Sequence, residues 1–506
     1  MAAFYDTNRP LFVPAPLADI IGMLRTWGFD DRAVMDYHDK YGDFFDFLAT
    51  APVYDEDLTP DDFVPVNQRL FRTRVGARYA KDIIANSLGA GIIECDKLFY
   101  PERRNKAGEV IRPGKSLGYR FAPAFRGKLI ALNFLKPEVL GRKLDLRTAA
   151  KRAERAARAE ATGDQLLVRI EADVNRLRIH RDQALARNEA VYERTLAFLT
   201  EHRTLLARTT CPMEYYNYLL DLARNTDEAI TLPARKDVAK RLKTARMKAE
   251  KLATPAAPTW YQAMEESITA SHDRNLVTVE QLASGHFQDV TRPDPESRVF
   301  TMLTSLATES RANLYHVDYP GERLFNLDIR NCQPFLLNVL LKRRYADNGL
   351  PYPADVMRYR QQTAVGMFYE DTANAHGLSA TAKRERKEFK GRMFGSVFFG
   401  ETRHTEASQL GQWFMKNYPS VYALIWASKR HDYTQLAIKL QRIEAGLVVD
   451  TVLPALQAQG IWCASIHDSI ICRERDVPVA MALLSQAFEA AAGIAPSIEA
   501  VPLDGN

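Results

Sequence analysis

Cysteine is scarce in this sequence, and its spacing excludes two kinds of site. The 506 residues include only five cysteines, which are Cys95, Cys211, Cys332, Cys463 and Cys472. An odd, scattered set without any CxxC pair indicates neither a disulfide framework nor a zinc site. We therefore expect reduced thiols and a reducing cytoplasm.

Long hydrophobic runs and a large excess of one charge are also missing. No stretch approaches the roughly 20 apolar residues of a membrane-spanning helix. The opening MAAFYDTNRPLF does not follow the pattern of a signal peptide, and repeats and low-complexity tracts are absent. These absences predict a cytoplasmic protein without a membrane partner. With 46% hydrophobic residues, the chain is long enough for two or three globular domains.

The net charge is only +5, but the basic residues cluster in three runs, at 141–160, 235–251 and 383–392. Such clusters are typical of surfaces that neutralise a phosphate backbone. The alternative is that each run is a solvated helix face.

The pattern along the chain predicts four segments. Residues 1–64 form an N-terminal cap of unknown role. Residues 65–140 read as helix, glycine, strand, basic loop and returning strand, which predicts a winged-helix DNA-binding unit; internal packing is the alternative. Residues 141–255, rich in Ala, Leu, Arg, Lys and Glu, predict long helices that suit a thumb-like region. A proline-rich stretch then precedes the last segment, residues 256–506.

Two acidic residues in the last segment stand at predicted strand ends. In RLFNLDIRNCQPFLL, alternating apolar residues predict a half-buried strand with Asp328 on the face opposite the core. In GIWCASIHDSIICRE, two apolar runs flank His467 and Asp468, which predicts a buried hairpin with a charged pair at its tip. An unpaired carboxylate against an apolar core is costly, and a divalent cation would relieve that cost.

Carboxylates that converge from separate strands are the ligands of two-metal catalysis. In that chemistry one metal ion activates an attacking 3′ oxygen and the other holds the leaving pyrophosphate. Because hard oxygen ligands favour magnesium over zinc, we expect Mg²⁺ at Asp328 and Asp468.

Between the two aspartates, RKEFKGRMFGSVFFG places Arg386, Lys390, Phe394 and Phe398 four residues apart. A helix would carry these side chains on one face, two cations followed by two rings. This pattern predicts a site for a nucleoside triphosphate, with the cations at the phosphates and a ring under the base. A solvated amphipathic helix is the alternative.

The order of these motifs resembles the family A DNA polymerases and the phage-type single-subunit RNA polymerases over about residues 296–475. Their palm aspartate, their RxxxKxxxFGxxY helix and their HD hairpin look like Asp328, residues 386–398 and His467 with Asp468. The resemblance implies an α+β right-hand polymerase, with palm and fingers in 256–506.

The resemblance also implies roles for single residues. These are metal binding by Asp328 and Asp468, a catalytic and triphosphate-binding role for Lys390, triphosphate binding by Arg386, sugar contact by Phe394, base-pair contact by Phe398, minor-groove contact by Arg298, primer-template contact by Gln441, and primer-terminus contact by His467.

Three departures bear on which sugar is used. Gln333 stands where the DNA polymerases carry a glutamate gate against the 2′ hydroxyl, and Ser469 follows the hairpin aspartate as in the RNA polymerases. Phe398, by contrast, lacks the hydroxyl with which a tyrosine senses ribose. We predict deoxynucleotides as substrates.

The sequence therefore predicts a DNA-directed DNA polymerase that extends a primer on a DNA template with nucleoside triphosphates, in the replication of a plasmid, phage or mobile element. No cluster of carboxylates in the first 290 residues indicates a proofreading nuclease. An RNA polymerase or primase on the same scaffold is the first alternative. A catalytically inert DNA-binding replication or regulatory protein is the second.

Overall fold

The computed structural model describes residues 9–55, 57–105, 110–112, 114–162, 165–204, 212–226, 230–252, 259–286 and 290–504. Helices and strands are mixed in this part of the chain, as the sequence predicted. The strands are β1 Leu11–Pro14, β2 Val64–Pro65, β3 Ile93–Cys95, β4 Arg103–Arg104, β5 Val110–Arg112, β6 Gly118–Phe121, β7 Leu129–Leu132, β8 Leu177–Ile179, β9 Leu314–His316, β10 Leu324–Ile329, β11 Cys463–Ile466, β12 Ser469–Arg473 and β13 Ile498–Pro502.

The helices are more numerous than the strands. They are α1 Ile20–Thr26, α2 Asp31–Tyr54, α3 Gln68–Val75, α4 Ala77–Gly89, α5 Leu140–Thr162, α6 Leu166–Val174, α7 Arg181–Glu201, α8 Pro212–Thr226, α9 Arg235–Leu252, α10 Trp260–Ser284, α11 Met302–Ser305, α12 Cys332–Arg344, α13 Ala354–Ala364, α14 Phe368–Asn374, α15 Lys383–Met393, α16 Thr402–Ala407, α17 Gln409–Asn417, α18 Pro419–Lys429, α19 Gln435–Leu447, α20 Leu453–Ala458 and α21 Val477–Ala492. Two π-helical turns, Phe394–Phe398 and Val448–Val452, follow α15 and α19.

The chain divides into two compact units. Unit 1 contains Met1–Arg158, Ile179–Phe287 and Ser305–Ser310, and unit 2 contains Ala159–Arg178, Gln288–Thr304 and Arg311–Asn506. Each unit is therefore assembled from separate stretches of the chain.

The first part of unit 1 contains the elements predicted for a winged helix. Helix α4 is followed by β3, and β6 returns antiparallel to β3, while β4 and β5 form a two-stranded hairpin. Residues 106–109, inside the predicted basic loop, lie outside the described residues. The rings of Phe44, Phe71 and Tyr119 lie in one apolar core, 5.1 and 6.3 Å from the Phe44 centroid to the other two. The segments 1–64 and 65–140 thus share a core.

The second part of unit 1 is helical, which confirms the secondary structure predicted for most of residues 141–255. Helices α7 to α10 enclose a second apolar core around Leu199, Leu219 and Met264. Thr259 begins α10 with a capping box in which its hydroxyl accepts from the backbone of Gln262, while the Gln262 side chain accepts from the Thr259 backbone. The predicted proline-rich boundary falls largely on residues 253–258, outside the described residues.

Unit 2 is built on a four-stranded antiparallel sheet with strand order β11, β12, β10, β13. Helices α12 and α21 cover one of its faces, where the ring centroids of Phe335 and Phe488 are 6.2 Å apart and both side chains are fully buried. The division of this unit into palm and fingers stays a prediction.

Among the described helices, we found none that combines the length and the apolar composition needed to cross a membrane.

Candidate active site

Strand β10 places Asp328 where the sequence predicted it. Leu327 and Ile329 are buried, whereas Asp328 between them is exposed. The alternation follows from the two-residue period of a strand, which turns successive side chains to opposite faces. The half-buried strand is therefore confirmed, with its carboxylate on the polar face.

The predicted hairpin is confirmed as well. Strands β11 and β12 pair from Ile466 with Ser469, so His467 and Asp468 form a two-residue turn. His467 makes this tight turn with a left-handed backbone, φ +57°. On the next ladder Leu327 pairs with Ile470. Continuing that register puts Asp328 opposite Ser469, one residue from Asp468.

Other acidic residues lie near Asp328 at this edge of the sheet. Although the Asp328 side chain reaches solvent, the protein atoms packed around it partly desolvate the carboxyl and raise its pKa to about 6, and the negative charge of Asp468 is the next largest cause. Glu499, its partner residue on β13, raises this pKa further. The cations of Lys390 and Arg386 oppose these effects. Three carboxylates therefore share one small region.

This donor set fits a hard divalent cation. Like charges on directly opposite strand positions are destabilising, and a cation between them would reverse the sign of that interaction. Mg²⁺ is bound by one or two carboxylates together with substrate phosphates and water. Asp328 and Asp468 supply such oxygens, and the carboxylate of Asp468 also accepts a hydrogen bond from the Cys332 thiol.

A second acidic residue lies deeper, and the sequence reading missed it. Glu444 of α19 is fully buried, and Nε and Nη2 of Arg298 donate to its two oxygens over 2.6 and 2.8 Å. Gln333 Nε2 donates to the same carboxylate over 2.6 Å. Desolvation raises the pKa of Glu444 to about 7, against the opposing effect of the Arg298 hydrogen bond. Arg298, predicted to contact nucleic acid, and Gln333, predicted to contact the substrate, are thus both hydrogen-bonded to Glu444.

Cys332, Glu444 and Asp468 bring potential ligand atoms within 4.8 Å of one another. Burial raises the pKa of the Cys332 thiol well above its ordinary value, so the sulfur stays protonated. A protonated, soft sulfur is a poor magnesium ligand. The chemistry of this cluster therefore favours Asp468, rather than Cys332, as the group that would share a magnesium ion with Asp328.

Helix α15 places two cations near Asp328, of which one is hydrogen-bonded to neighbouring side chains and the other is not. Arg386 Nε donates to Glu370 over 2.7 Å and its Nη2 donates to Asn331 over 2.8 Å. Lys390, one turn further on, is exposed and makes no hydrogen bond or ion pair with any described residue; its ammonium lies 5.4 Å from the centroid of the half-buried Phe394 ring. Of the two predicted triphosphate-binding cations, Lys390 is therefore the one that has no ion pair among the described residues.

Phe398 does not continue the stripe that the sequence predicted. Its ring is fully buried and lies 6.2 Å from Phe368 and 6.0 Å from Phe414, centroid to centroid. The reason is the π-helical turn, in which the amide of Phe399 donates to the carbonyl of Phe394 over 2.7 Å. The wider turn rotates later residues away from the α-helical face. In this conformation Phe398 supports the helix and cannot contact a base pair.

The remaining predicted nucleic-acid contacts lie in different surroundings. Gln441 is exposed on α19. His467 is half-buried, and its Nδ1 is buried without a hydrogen-bond partner among the described residues. Desolvation, helped by the charge of Arg298, lowers the pKa of His467, which favours the neutral ring. The contacts predicted for Gln441 and His467 with a primer and template therefore stay predictions.

Four functional neighbours were missed by the sequence reading, which are Asn331, Glu370, Glu444 and Glu499. Asn331 had a signal, because asparagine is one of the few residues that adopts the left-handed backbone it has here, φ +58°. The three glutamates had no sequence signal that would distinguish them from ordinary solvent-exposed glutamates. Only strand register and helix packing bring them to the site.

No protein-family model and no curated protein matches the sequence. Among solved structures, the chain is similar to the polymerase domain of Pol1 from M. smegmatis, determined in complex with a DNA primer-template and a dNTP. The two are 12% identical with a TM-score of 0.41, over 70% of this chain and 73% of that one. At that distance, the chemistry of this chain is indicated by its own side chains.

Proposed function

We propose that this protein is a template-directed nucleotidyltransferase, a DNA-directed DNA polymerase that adds deoxynucleotides to a primer 3′ end. The observation that carries the proposal is the approach of Asp328 and Asp468 at the ends of neighbouring strands. Asp328 is exposed on β10, and Asp468 lies close enough that its negative charge acts on the carboxyl of Asp328. Substrates with phosphate groups and bound cations suit such an acidic edge.

Asp328 and Asp468 would hold Mg²⁺, which when bound supplies Lewis-acid activation of the 3′ hydroxyl and charge neutralisation at the leaving group. The role of this chain is then to orient the reactants. Lys390, exposed and without an ion pair among the described residues, would bind the triphosphate as a point charge. The half-buried ring of Phe394 lies beside that ammonium and would pack against the sugar.

The other side chains would keep the acidic pair in place. Despite desolvation, the hydrogen bond and the charge of buried Glu444 raise the pKa of the Arg298 guanidinium, and the nearby carboxylate of Asp468 adds a smaller effect of the same sign. Through this ion pair Arg298 would fix the electrostatic surroundings of the hairpin turn. Arg386 would reach the triphosphate only after leaving Glu370 and Asn331. We propose that substrate binding exchanges those partners for phosphate oxygens, since Arg favours bidentate contacts with phosphate.

The test is extension of a primed DNA template with dNTPs and Mg²⁺. Asp328→Asn and Asp468→Asn should each reduce incorporation by roughly a thousandfold or more, since several kcal/mol of transition-state stabilisation would be lost. Asp318→Asn is the matched control, because Asp318 is an exposed aspartate of the same unit that lies on neither strand. Full activity of either catalytic variant, with its fold retained by circular dichroism, would refute the proposal.

An RNA polymerase or primase is the second candidate, and Gln333 is the observation that favours it. As a glutamine it presents no carboxylate against a ribose 2′ hydroxyl, and its amide donates to Glu444. Offering rNTPs and dNTPs separately, on primed and unprimed templates, distinguishes the two enzymes. Preference for rNTPs without a primer would identify the second candidate. Magnesium-independent DNA binding without incorporation on any template would instead identify an inert DNA-binding protein.

A further inference from the structure

Unit 1 contains a half-open cleft of about 390 Å³ that the proposed polymerase chemistry does not use. Residues of α3 and α5 face each other across it, including Phe71 and Arg74 on one side and Arg147 and Lys151 on the other. Its volume falls in the range of sites for small ligands, roughly 300 to 1,000 Å³. The α5 residues belong to the basic run 141–160 that the sequence singled out.

The cleft is positive because its cations outnumber their partners. Four basic side chains line it, and no acidic side chain is among its lining residues. Arg9, Arg147 and Lys151 make no hydrogen bond or ion pair with any described residue, and both α5 residues are exposed. The fourth, Arg74, is paired with the buried carboxylate of Asp43. Three charges are thus available to an anionic ligand.

The ion pair of Arg74 with Asp43 fixes one wall of the cleft. Arg74 Nε lies 2.8 Å from Asp43 Oδ2, and the side chain of Asp43 is 3% exposed. The guanidinium also lies within about 6 Å of the Phe47 and Phe71 rings, 5.8 and 6.0 Å from their centroids. A side chain held on three sides loses little freedom when a ligand arrives, which favours binding.

The apolar part of the lining indicates what else the ligand carries. Phe47 is half-buried, Phe71 and Leu144 are buried, and Leu70 is exposed at the rim. A small inorganic anion would leave this surface uncovered. A phosphate joined to a flat, weakly polar group would cover it and meet the cations at the same time.

We propose that this cleft binds a nucleotide unit, with the phosphate at Arg147, Lys151 and Arg9 and the base or sugar over Phe47. The unit is either a free nucleotide or one residue of a nucleic-acid strand, since both carry this chemistry. The site is separate from the residues proposed for catalysis, and it requires no reaction.

Chemical protection tests the site without changing the protein. Lysine acylation of the full chain, followed by mass spectrometry, reports on Lys151 and on Lys143, an exposed lysine of the same helix outside the cleft. The probes are dAMP, a single-stranded 12-nucleotide DNA and inorganic phosphate. Ligand at ten times its Kd should slow acylation of Lys151 roughly tenfold and leave Lys143 unchanged. Equal protection of both lysines, or of neither, would overturn the proposal, as would protection by inorganic phosphate alone.

A pair of double variants supplies a second measurement. Arg147→Gln/Lys151→Gln removes two cleft cations, and Arg69→Gln/Lys143→Gln removes two exposed cations from the same two helices outside the cleft. The first pair should weaken binding of the DNA about tenfold at low salt and reduce the salt slope by about 1.4, or about 0.7 for each lost contact. Equal loss in the two double variants would contradict a specific site.

The two probes identify the source of the nucleotide unit. Protection by dAMP assigns a free nucleotide, and protection by the DNA without dAMP assigns a strand. In the Asp328→Asn variant, the same ligands should protect Lys151 from acylation as they do in the unchanged protein. The outcome for the cleft is therefore independent of the outcome for the proposed polymerase activity.

Discussion

At the scale of single residues, the proposed catalytic site is organised by which charges have partners. Arg386 is held by Glu370 and Asn331, while Lys390 on the same helix face has no hydrogen bond or ion pair among the described residues and contacts only the ring of Phe394. An exposed, unpaired cation contributes little to stability. We therefore expect Lys390 to contribute to ligand binding rather than to stability.

Lys390→Ala tests that expectation. We expect it to raise the KM for dNTP and to lower kcat/KM by roughly a hundredfold, because a charge contact with the triphosphate is lost. The free energy of unfolding should change by less than about 0.5 kcal/mol. Steady-state primer extension and urea unfolding measure the two quantities. Lys387→Ala, a change of an exposed lysine on the same helix, is the control, and an equal loss of activity there would contradict the assignment.

Arg298 and Glu444 form the buried counterpart of this exposed cation. Arg298→Ala should destabilise unit 2 by about 3 to 5 kcal/mol, because it leaves a buried carboxylate without its partner. Without the arginine the carboxyl takes up a proton, so the destabilisation should be smaller at pH 5 than at pH 8. Adding Glu444→Gln should recover part of the loss. Denaturant unfolding of the single and double variants measures the coupling, and simple additivity would contradict it.

Lys429 gives a prediction about pH. Its side chain is buried and its Nζ donates to the carbonyl of Val397 over 2.9 Å, and desolvation lowers its pKa to about 8. The unfolded chain keeps this proton up to about pH 10.5. Between pH 8 and 10.5 the unfolded state thus binds one more proton than the folded state, so this residue's contribution to stability rises with pH.

Lys429→Met removes that dependence. The stability difference between the unchanged protein and this variant should shift by about 2.5 kcal/mol in favour of the lysine protein between pH 7 and pH 10. Urea unfolding at both pH values measures it. A difference that stays constant would show that Lys429 does not titrate in this range.

At the scale of elements, the sequence predicted best what depends on local periodicity. Strand β10 and the β11–β12 hairpin lie where alternation placed them, because a two-residue period leaves one choice of buried face. Helix α15 was also predicted, but the π-helical turn after it was not. That turn is held from outside its own sequence, by the contact of Lys429 with Val397. No local pattern encodes such a contact.

Two phenylalanine variants test the effect of the π-helical turn. Phe398→Ala should destabilise the protein by about 3 to 5 kcal/mol, because it leaves a cavity among buried rings. Phe394→Ala should cost much less stability, since its ring is only half-buried, and should lower incorporation more at matched folding. Thermal unfolding and primer extension distinguish the two. The reverse order of stability losses would contradict the buried position of Phe398.

At the scale of the whole molecule, the sequence predicted consecutive segments and the structure has interleaved units. Residues 159–178 and 288–304 join unit 2, while residues 305–310 belong to unit 1. Composition shifts mark changes along the chain, but they do not record which stretches pack together. The convergence of Glu444 and Glu499 on the acidic pair has the same origin. It depends on long-range packing that no local signal carries.

Magnesium should act on one unit only. Each unit has its own buried core, so we expect two transitions in calorimetry. At a hundred times its Kd, Mg²⁺ should stabilise unit 2 by about 2.7 kcal/mol, and the transition of unit 1 should not move. The shift should vanish in an Asp328→Asn/Asp468→Asn double variant. A shift that persists there would place the ion elsewhere.

Asn331 and His467, the left-handed residues near the two aspartates, limit how this protein can diverge. Residues with a branched β-carbon are strained in that conformation, whereas glycine, asparagine, aspartate and histidine tolerate it. Deep mutational scanning should therefore find a narrow set of permitted amino acids at these two positions. The permitted set would be dictated by backbone shape, even though neither residue is proposed to bind a metal ion.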